Sequence, residues 1–218
     1  MVPRALEGQL AGLAASHRGL VEMLTDLERR GALDPAAPSL LPGWTVGHVL
    51  THLARNADSV TRALEAAERG HVVERYPGGT ATRTAEIEAG HDRPADVLVA
   101  DVRDSTARLD AALDAHRRWD GHCIEPDGRQ LRVSDLVLLR WREVEVHRAD
   151  LGLGYGPADW PTAYVRHDLV HMDYRWNARR PMGLTGLPRE ALAVPDHVRL
   201  AWLLGRAEIE GLAPANLM

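Results

Sequence analysis

Apolar residues recur along the first 150 positions at the spacing of helices that bury one face. Between Leu6 and Arg30 the leucines stand mostly three, four or seven positions apart, which places them on one stripe of a helix. Similar stripes predict three further helices, over about 46–69, 94–118 and 134–150. Four amphipathic helices in succession favour a helical bundle as the fold of this part of the chain.

The predicted helices are separated by connectors that contain helix breakers. Residues 70–93 hold one proline and four glycines, so we expect a loop there, with at most a turn or two of helix over 80–88, at the mouth of a site. A turn beginning at Pro126 is predicted to join two short strands. Thr45 and Ser134 are the expected N-caps of the second and fourth helices.

The chain changes character after residue 152. Residues 153–218 are rich in proline and contain two helix-like segments, 161–176 and 194–205. We therefore predict two domains: a metal-binding bundle over 1–152, for the reasons given below, and a small domain or lid over 153–218.

Composition narrows the classes of function. The net charge of −5 and a pI of about 6.1, without a basic stripe, argue against a nucleic-acid partner. The single cysteine, Cys123, excludes an internal disulfide and favours a reducing compartment; a buried structural role for it is favoured over a nucleophilic one. No run of about 18 apolar residues predicts a membrane span or a signal peptide, so we expect a cytoplasmic protein.

Spacing selects a carboxylate partner for one of the 11 histidines. Residues four apart on a helix share a face, whereas residues two apart point to opposite faces. In the fourth helix, His147 therefore shares its face with Glu143, while Glu145 points away. Glu143 and His147 are thus able to bind one metal ion together.

The second helix carries a polar ridge on an otherwise apolar surface. His48, His52 and Asn56 stand four positions apart, and polar groups that face a bundle interior are costly unless they find partners. Two histidines and one glutamate from two helices would leave a fourth zinc position open, which is the arrangement of a catalytic site.

Other interpretations of the histidines stay open at this point. Any one of them, taken singly, is better explained by an ordinary hydrogen bond or an exposed position than by a metal. For the joint pattern on two helices, spacing alone does not decide between that role and a metal ligand. His167 and His171 form a rival pair, but the charged residues around them indicate a solvated helix face. His116 and His122 span a predicted helix end.

Two segments carry a family resemblance. Residues 41–58, LPGWTVGHVLTHLARNAD, closely resemble the second-helix signature of the mycothiol-dependent maleylpyruvate isomerase family. Residues 142–147, REVEVH, followed by DLGLGY at 150–155, resemble the same family. Weaker similarity occurs at 159–161 and 202–206, so the resemblance extends over nearly the whole chain.

The resemblance implies a mainly α fold, a DinB-like four-helix bundle with a small α/β C-terminal domain. It places the zinc ligands at His52, Glu143 and His147. An arginine near the C-terminus matters in the family, and Arg206 is the matching position in this chain.

The activity that the resemblance implies is the isomerisation of maleylpyruvate to fumarylpyruvate, with zinc and mycothiol as cofactors. Zinc favours the thiolate form of the thiol; the thiolate adds to the cis double bond, the new single bond rotates, and elimination leaves the trans isomer. The substrate is a dianion, for which we expect arginine ligands: Arg206 first and Arg83 second. Asn56 is expected either to bind substrate or cofactor or to be a structural amide.

Two other functions fit the same features. The chain could be a mycothiol S-transferase that acts on a different electrophile, since zinc and thiolate serve that chemistry too. It could instead be a non-enzymatic metal-binding bundle with a sensor or stress role. The expected partners are a small thiol and an anionic small molecule, and the expected assembly is a monomer or a homodimer.

Overall fold

The computed structural model describes residues 2–179 and 186–217, and the chain divides into two compact units, Met1–Leu153 and Gly154–Met218. The first unit contains five helices and one antiparallel pair of strands. In chain order these elements are α1 (Arg4–Arg29), α2 (Val46–Glu68), α3 (Gly79–Gly90), α4 (Ala95–Ala115), β1 (His122–Ile124), β2 (Gln130–Arg132) and α5 (Asp135–Asp150). No helix in the described ranges is long and apolar enough to span a membrane.

The four long helices α1, α2, α4 and α5 pack on one another as a bundle, which confirms the predicted fold class. The stripe on α1 buries Leu13, Leu20 and Leu24 completely. Gly12 allows α1 to approach α5 closely, because a Cβ atom at this position would lie 2.1 Å from Cη2 of Trp141. The indole N–H of Trp141 donates to Ser16 Oγ at 2.7 Å, so this contact also satisfies a buried polar group.

The two predicted helix caps behave differently. The side chain of Thr45 accepts a hydrogen bond from the backbone N–H of His48, and the Thr45 N–H donates to His48 Nδ1 at 3.1 Å, which forms a capping box. Ser134 has helical backbone angles, φ −59° and ψ −35°, and its side chain makes no capping bond. The prediction for Ser134 was wrong because an N-cap needs an extended conformation that aims the hydroxyl at the free N–H groups.

A 12-residue helix, α3, occupies half of the segment predicted to be mainly a loop. It begins where Gly78 and Gly79 both adopt positive φ, 85° and 71°, a backbone conformation that glycine tolerates without strain. Only Ile87 and Gly90 among its residues are buried. A helix this short, with so small an apolar face, leaves little periodicity in the sequence.

The two short strands pair in antiparallel register, with Cys123 opposite Leu131, as the turn at Pro126 predicted. Cys123 is fully buried, and burial raises the pKa of its thiol to about 11. The segment before α3 lies beside β1: Ile124 N–H donates to Val73 O at 2.9 Å, and Arg75 N–H donates to Ile124 O at 3.0 Å. This pairing holds the start of the α3 segment against the bundle.

The described part of the second unit contains helices joined by turns and loops. It contains a 3-10 turn (Pro157–Asp159), α6 (Thr162–Ala178), α7 (Arg189–Ala193) and α8 (Asp196–Leu203), in agreement with the two predicted helical segments. The rings of Trp176 and Trp202 pack 5.1 Å apart between α6 and α8. No strand occurs in residues 154–179 and 186–217, so the α/β character implied for this unit is not seen in them.

Candidate metal centre

The structure brings the three predicted ligands together from two helices. His52 Nε2 on α2 lies 2.7 Å from Glu143 Oε2 on α5, and His147 Nε2, one turn further along α5, lies 3.3 Å from the same oxygen. The two imidazole rings are perpendicular, with centroids 4.6 Å apart. The three donor atoms all lie within 4.8 Å of one another, a separation that a single metal ion is able to bridge.

Exposure is uneven across the cluster. The His52 side chain is 2% exposed, whereas His147 is 14% exposed and Glu143 is 29% exposed. The cluster is therefore more accessible from the side of Glu143 and His147 than from that of His52.

The pKa values of Glu143, His147 and His52 depend on one another. Enclosure by protein raises the pKa of Glu143, but His52 and His147 lower it more strongly, so the pKa lies well below its usual range. Burial lowers the pKa of His147, but hydrogen bonds to Asp150 and Glu143 outweigh burial and raise the pKa to about 9. Burial lowers the pKa of His52 to about 4, against the attraction of Glu143.

Asp150 fixes the orientation of His147. Its Oδ2 atom lies 2.9 Å from His147 Nδ1, one turn along α5, and its side chain is 3% exposed. A carboxylate in this position accepts a hydrogen bond from Nδ1–H, which leaves the lone pair of Nε2 free to bind a metal ion. This role was not predicted from the sequence, although the spacing of three from His147 was a signal for it.

Arg83 contacts the second ring nitrogen of His52. The Nη2 atom of Arg83, on α3, lies 3.1 Å from His52 Nδ1. Its Cζ atom lies 5.9 Å from the ring centroid of Tyr76, and Arg75 Cζ lies 5.7 Å from the same centroid on another side. The Tyr76 hydroxyl is buried and has no hydrogen-bond partner among the described residues. Arg83, predicted as a binding residue, is therefore at the cluster, together with a tyrosine that the sequence analysis did not single out.

Asn56 lies one turn beyond His52 and contacts a buried arginine. Arg140 Nη1 donates to Asn56 Oδ1 and to Leu53 O, both at 2.9 Å, and Arg140 Nε donates to His17 Nε2 at 3.2 Å. Burial lowers the pKa of Arg140 to about 10. This network ties α5 to α1 and α2 beneath the cluster. Arg140 stands three residues before Glu143, a spacing that could have identified it.

A second group of possible ligands, His48, Glu88 and His91, lies nearby. The rings of His48 and His91 are stacked with centroids 3.8 Å apart and planes within 10°. Nitrogen lone pairs lie in the ring planes, so two parallel rings do not aim at one ion. His48 Nδ1 is also engaged by the Thr45 cap. The contact joins the end of α3 to α2, and the cluster around Glu143 has the better geometry for a metal.

The remaining candidates lie elsewhere in the chain. Arg206 follows α8 in the second unit, where its Nη1 donates to Leu204 O at 3.0 Å, and its predicted role at the substrate stays a prediction. His167 and His171 lie on α6 and belong to neither of the two groups found among the described residues. His116 Nδ1 lies 3.1 Å from Glu68 Oε2, a contact away from both groups.

A protein family and two solved structures are similar to this chain. Residues 13–152 match the family described as "Mycothiol maleylpyruvate isomerase N-terminal domain". The crystal structure of the mycothiol-dependent maleylpyruvate isomerase is similar to this chain with a TM-score of 0.77 and 23% sequence identity, over 94% of this chain and 90% of that one. The crystal structure of a histidine-to-alanine mutant of that isomerase is similar to the same extent. No curated protein matches the chain.

Proposed function

Because the chain belongs to the mycothiol maleylpyruvate isomerase N-terminal domain family, we propose that it is a metal- and mycothiol-dependent isomerase that converts maleylpyruvate to fumarylpyruvate. The observation that carries this proposal is the convergence of His52, Glu143 and His147 on one point, with its more exposed side at Glu143 and His147.

The donor set fits zinc. Two imidazole nitrogens and one carboxylate oxygen, with room for a further ligand, are typical of catalytic zinc sites. A zinc ion held in this way would keep net positive charge and would lower the pKa of a thiol at its open position below the ordinary value of about 8.5.

The residues of the chain would supply orientation and charge. Asp150 holds the His147 ring so that Nε2 faces Glu143. Arg140 joins α5 to α2, which fixes Glu143 relative to His52. We assign Arg206 and Arg83 to the carboxylates of the substrate, and Asn56 and Arg83 to cofactor binding, because guanidinium groups bind carboxylates with paired hydrogen bonds.

The proposed reaction regenerates the thiol. A thiol bound beside the cluster would supply a thiolate for reversible addition to the cis double bond, which would allow rotation about that bond. Release of the same thiolate would leave the trans isomer without net consumption of thiol. No side chain of the protein forms a covalent bond in this scheme.

Metal analysis and turnover test the proposal together. We expect the purified protein to bind about one zinc ion per chain, and His52→Ala to lose most of it. His71→Ala, which removes an exposed histidine just beyond α2, is the matched control and should bind zinc like the unmodified protein. Loss of maleylpyruvate, followed by absorbance, should require mycothiol in catalytic amount only.

Other outcomes would redirect the assignment. Consumption of one mycothiol per electrophile would identify an S-transferase. Zinc binding without turnover of maleylpyruvate, and without sulfur in the coordination shell by X-ray absorption, would support a metal-binding protein. The absence of zinc from the unmodified protein, after incubation with the ion, would contradict the metal centre itself.

A further inference from the structure

The contact between Arg83 and His52 fixes where the ring proton of His52 lies. A guanidinium group offers only N–H donors, so His52 Nδ1, 3.1 Å from Arg83 Nη2, accepts the hydrogen bond. The proton of the neutral ring then sits on Nε2, which donates to Glu143 Oε2 at 2.7 Å.

This arrangement conflicts with a metal ion on His52. A metal bound at Nε2 uses the lone pair of that nitrogen, so the proton of a neutral imidazole moves to Nδ1. Nδ1–H would then face the N–H groups of Arg83, and two donors would oppose each other. His147 presents no such conflict, because its Nδ1 faces the carboxylate of Asp150. The positive charge of Arg83 next to a ligand ring also opposes a cation.

Arg83 has no competing carboxylate to hold it elsewhere. Among the described residues of the first unit, no acidic side chain forms an ion pair with it, and the guanidinium group is only half-buried. It is carried by the second turn of α3, which follows Gly78 and Gly79. The adjacent Tyr76 is 5% exposed, and its hydroxyl lacks a partner in the described part of the chain. A displaced guanidinium group and the unpartnered hydroxyl of the tyrosine whose ring lies near it together suit an anion.

We propose that Arg83 couples metal binding to anion binding: an ion at His52 displaces the guanidinium group from the imidazole, and the displaced group, with the Tyr76 hydroxyl, binds a carboxylate of the substrate. The inference rests on the proposed function for the position of the ion and the charge of the substrate. Since coupling between two ligands is reciprocal, a dicarboxylate then raises the affinity for zinc by the factor by which zinc raises the affinity for the dicarboxylate.

Zinc affinity measured with and without a dicarboxylate tests the proposal. Metal-free, full-length protein is titrated against a chromophoric zinc chelator, with succinate as an anion that has no double bond to react. Succinate should raise the zinc affinity of the unmodified protein, after correction for zinc bound by succinate in solution, by roughly fivefold or more. Arg83→Ala should bind zinc more tightly than the unmodified protein without succinate, because the opposing donor is gone, and should show no succinate effect.

Three further variants separate charge, geometry and the hydroxyl group. Arg83→Lys keeps the charge but not the paired donors, so the succinate effect should fall while zinc affinity without succinate stays near that of the unmodified protein. Tyr76→Phe should weaken the succinate effect alone. Arg69→Ala removes an arginine 17 residues from His52, about 25 Å along α2, and should match the unmodified protein in both measurements.

The results distinguish this inference from the proposed function. A succinate effect that persists in Arg83→Ala, or weaker zinc binding by that variant without succinate, would overturn the role of Arg83 and leave the metal centre in place. Failure of the unmodified protein to bind zinc would overturn both. Circular dichroism of each variant verifies that its helix content is retained.

Discussion

One oxygen of Glu143 faces both imidazoles of the cluster, so the site depends on a single carboxylate. His52 Nε2 and His147 Nε2 lie 2.7 and 3.3 Å from this Oε2 atom, and its negative charge lowers the cost of enclosing either a protonated histidine or a metal ion. The residues behind the two rings then decide how readily each accepts a metal. Asp150 favours it at His147, and Arg83 opposes it at His52.

Asp150→Asn should weaken zinc binding without unfolding the protein. The amide keeps the shape of the side chain but removes the charge that holds the His147 proton on Nδ1, and losses of about 10- to 100-fold in metal affinity follow from changes of this kind. Competition with a chelator measures the loss. Asp114→Asn, which removes an exposed carboxylate from α4, serves as the control, and equal zinc affinity in the two variants would contradict the role of Asp150.

His17→Gln should make stability less dependent on pH. Burial lowers the pKa of His17, and the hydrogen bond to Asp110 offsets this only in part. As the pH falls, the unfolded chain therefore binds a proton at His17 at a higher pH than the folded protein does. The stability that neutral His17 contributes is complete above pH 6.5. It decreases as the pH falls toward the lower pKa of the folded state. Gln can donate to Asp110 and accept from Arg140, yet it does not titrate.

Urea unfolding at pH 7.5, 6.5 and 5.5, with a chelator present throughout, measures the effect of His17. The free energy of unfolding should fall less steeply toward low pH in His17→Gln than in the unmodified protein, by about 1.4 kcal/mol for each unit by which the pKa of His17 is depressed. Parallel curves for the two proteins would show that His17 does not contribute.

Arg206→Ala should lose turnover while it keeps zinc. We assign Arg206 to a substrate carboxylate, and removal of a guanidinium group that binds a carboxylate reduces kcat/KM, whereas the metal ligands all belong to the first unit. Kinetics with maleylpyruvate and zinc analysis of the same preparation check both parts. Unchanged kcat/KM would rule out the assignment.

Much of the site at the residue scale could be predicted from spacing on helices. Glu143 and His147 share a face because they stand four apart, and the ridge on α2 indicated His52. Asp150 and Arg140, each three residues from one of these ligands, carried the same kind of signal. Tyr76 could not be found in this way, because its position depends on how the segment before α3 lies against β1, and no local period encodes that contact.

At the scale of elements, α2 and α3 make close contact where α2 begins. A Cβ atom at Gly47 would lie 1.9 Å from His91 O, a backbone atom just beyond α3. Thr51 Oγ1 donates to Gly90 O at 3.0 Å in the same region. The C-terminal end of α3 is thereby fixed to α2, while its N-terminal end follows two glycines with positive φ.

Gly47→Ala should destabilise the protein by about 1–3 kcal/mol, the usual cost of extra volume in a packed contact. Gly8→Ala is the matched control, because Gly8 lies within α1 and a Cβ atom added there would have nothing within 4 Å, and the change should stabilise by about 0.5–1 kcal/mol through helix propensity. Urea unfolding gives both values. A Gly47→Ala protein as stable as the unmodified one would contradict the close contact.

Long and regular helices were easier to predict from the sequence than short ones. The four bundle helices span many turns, so their apolar stripes were clear. The helix α3 was predicted as at most a turn or two within a loop, because its glycines mark the ends of a short helix rather than a region without helix. Ser134 has the residue type of a cap, but the turn that precedes α5 gives it a helical conformation, which depends on the hairpin before it.

At the scale of the whole molecule, the two units differ in how far they could be anticipated. The first unit contains the periodic helices and all of the residues that match the family model. The second is short and rich in proline, so its helices are brief and its strands were expected from resemblance alone. Residue patterns therefore predicted the bundle and the convergence of His52, Glu143 and His147 better than the architecture of the smaller unit.

The buried state of Cys123 makes the protein resistant to alkylation. Compounds with an activated double bond inactivate many proteins by modifying exposed cysteines. The only thiol in this chain is fully buried and has a pKa of about 11. At neutral pH the thiolate fraction is therefore on the order of one part in 10,000. Mass spectrometry after exposure to N-ethylmaleimide should find no adduct on the native protein and one in urea; an adduct on the native protein would refute this. An enzyme that used the thiol of a small-molecule cofactor to react with electrophiles would in this way avoid inactivation by its own substrate.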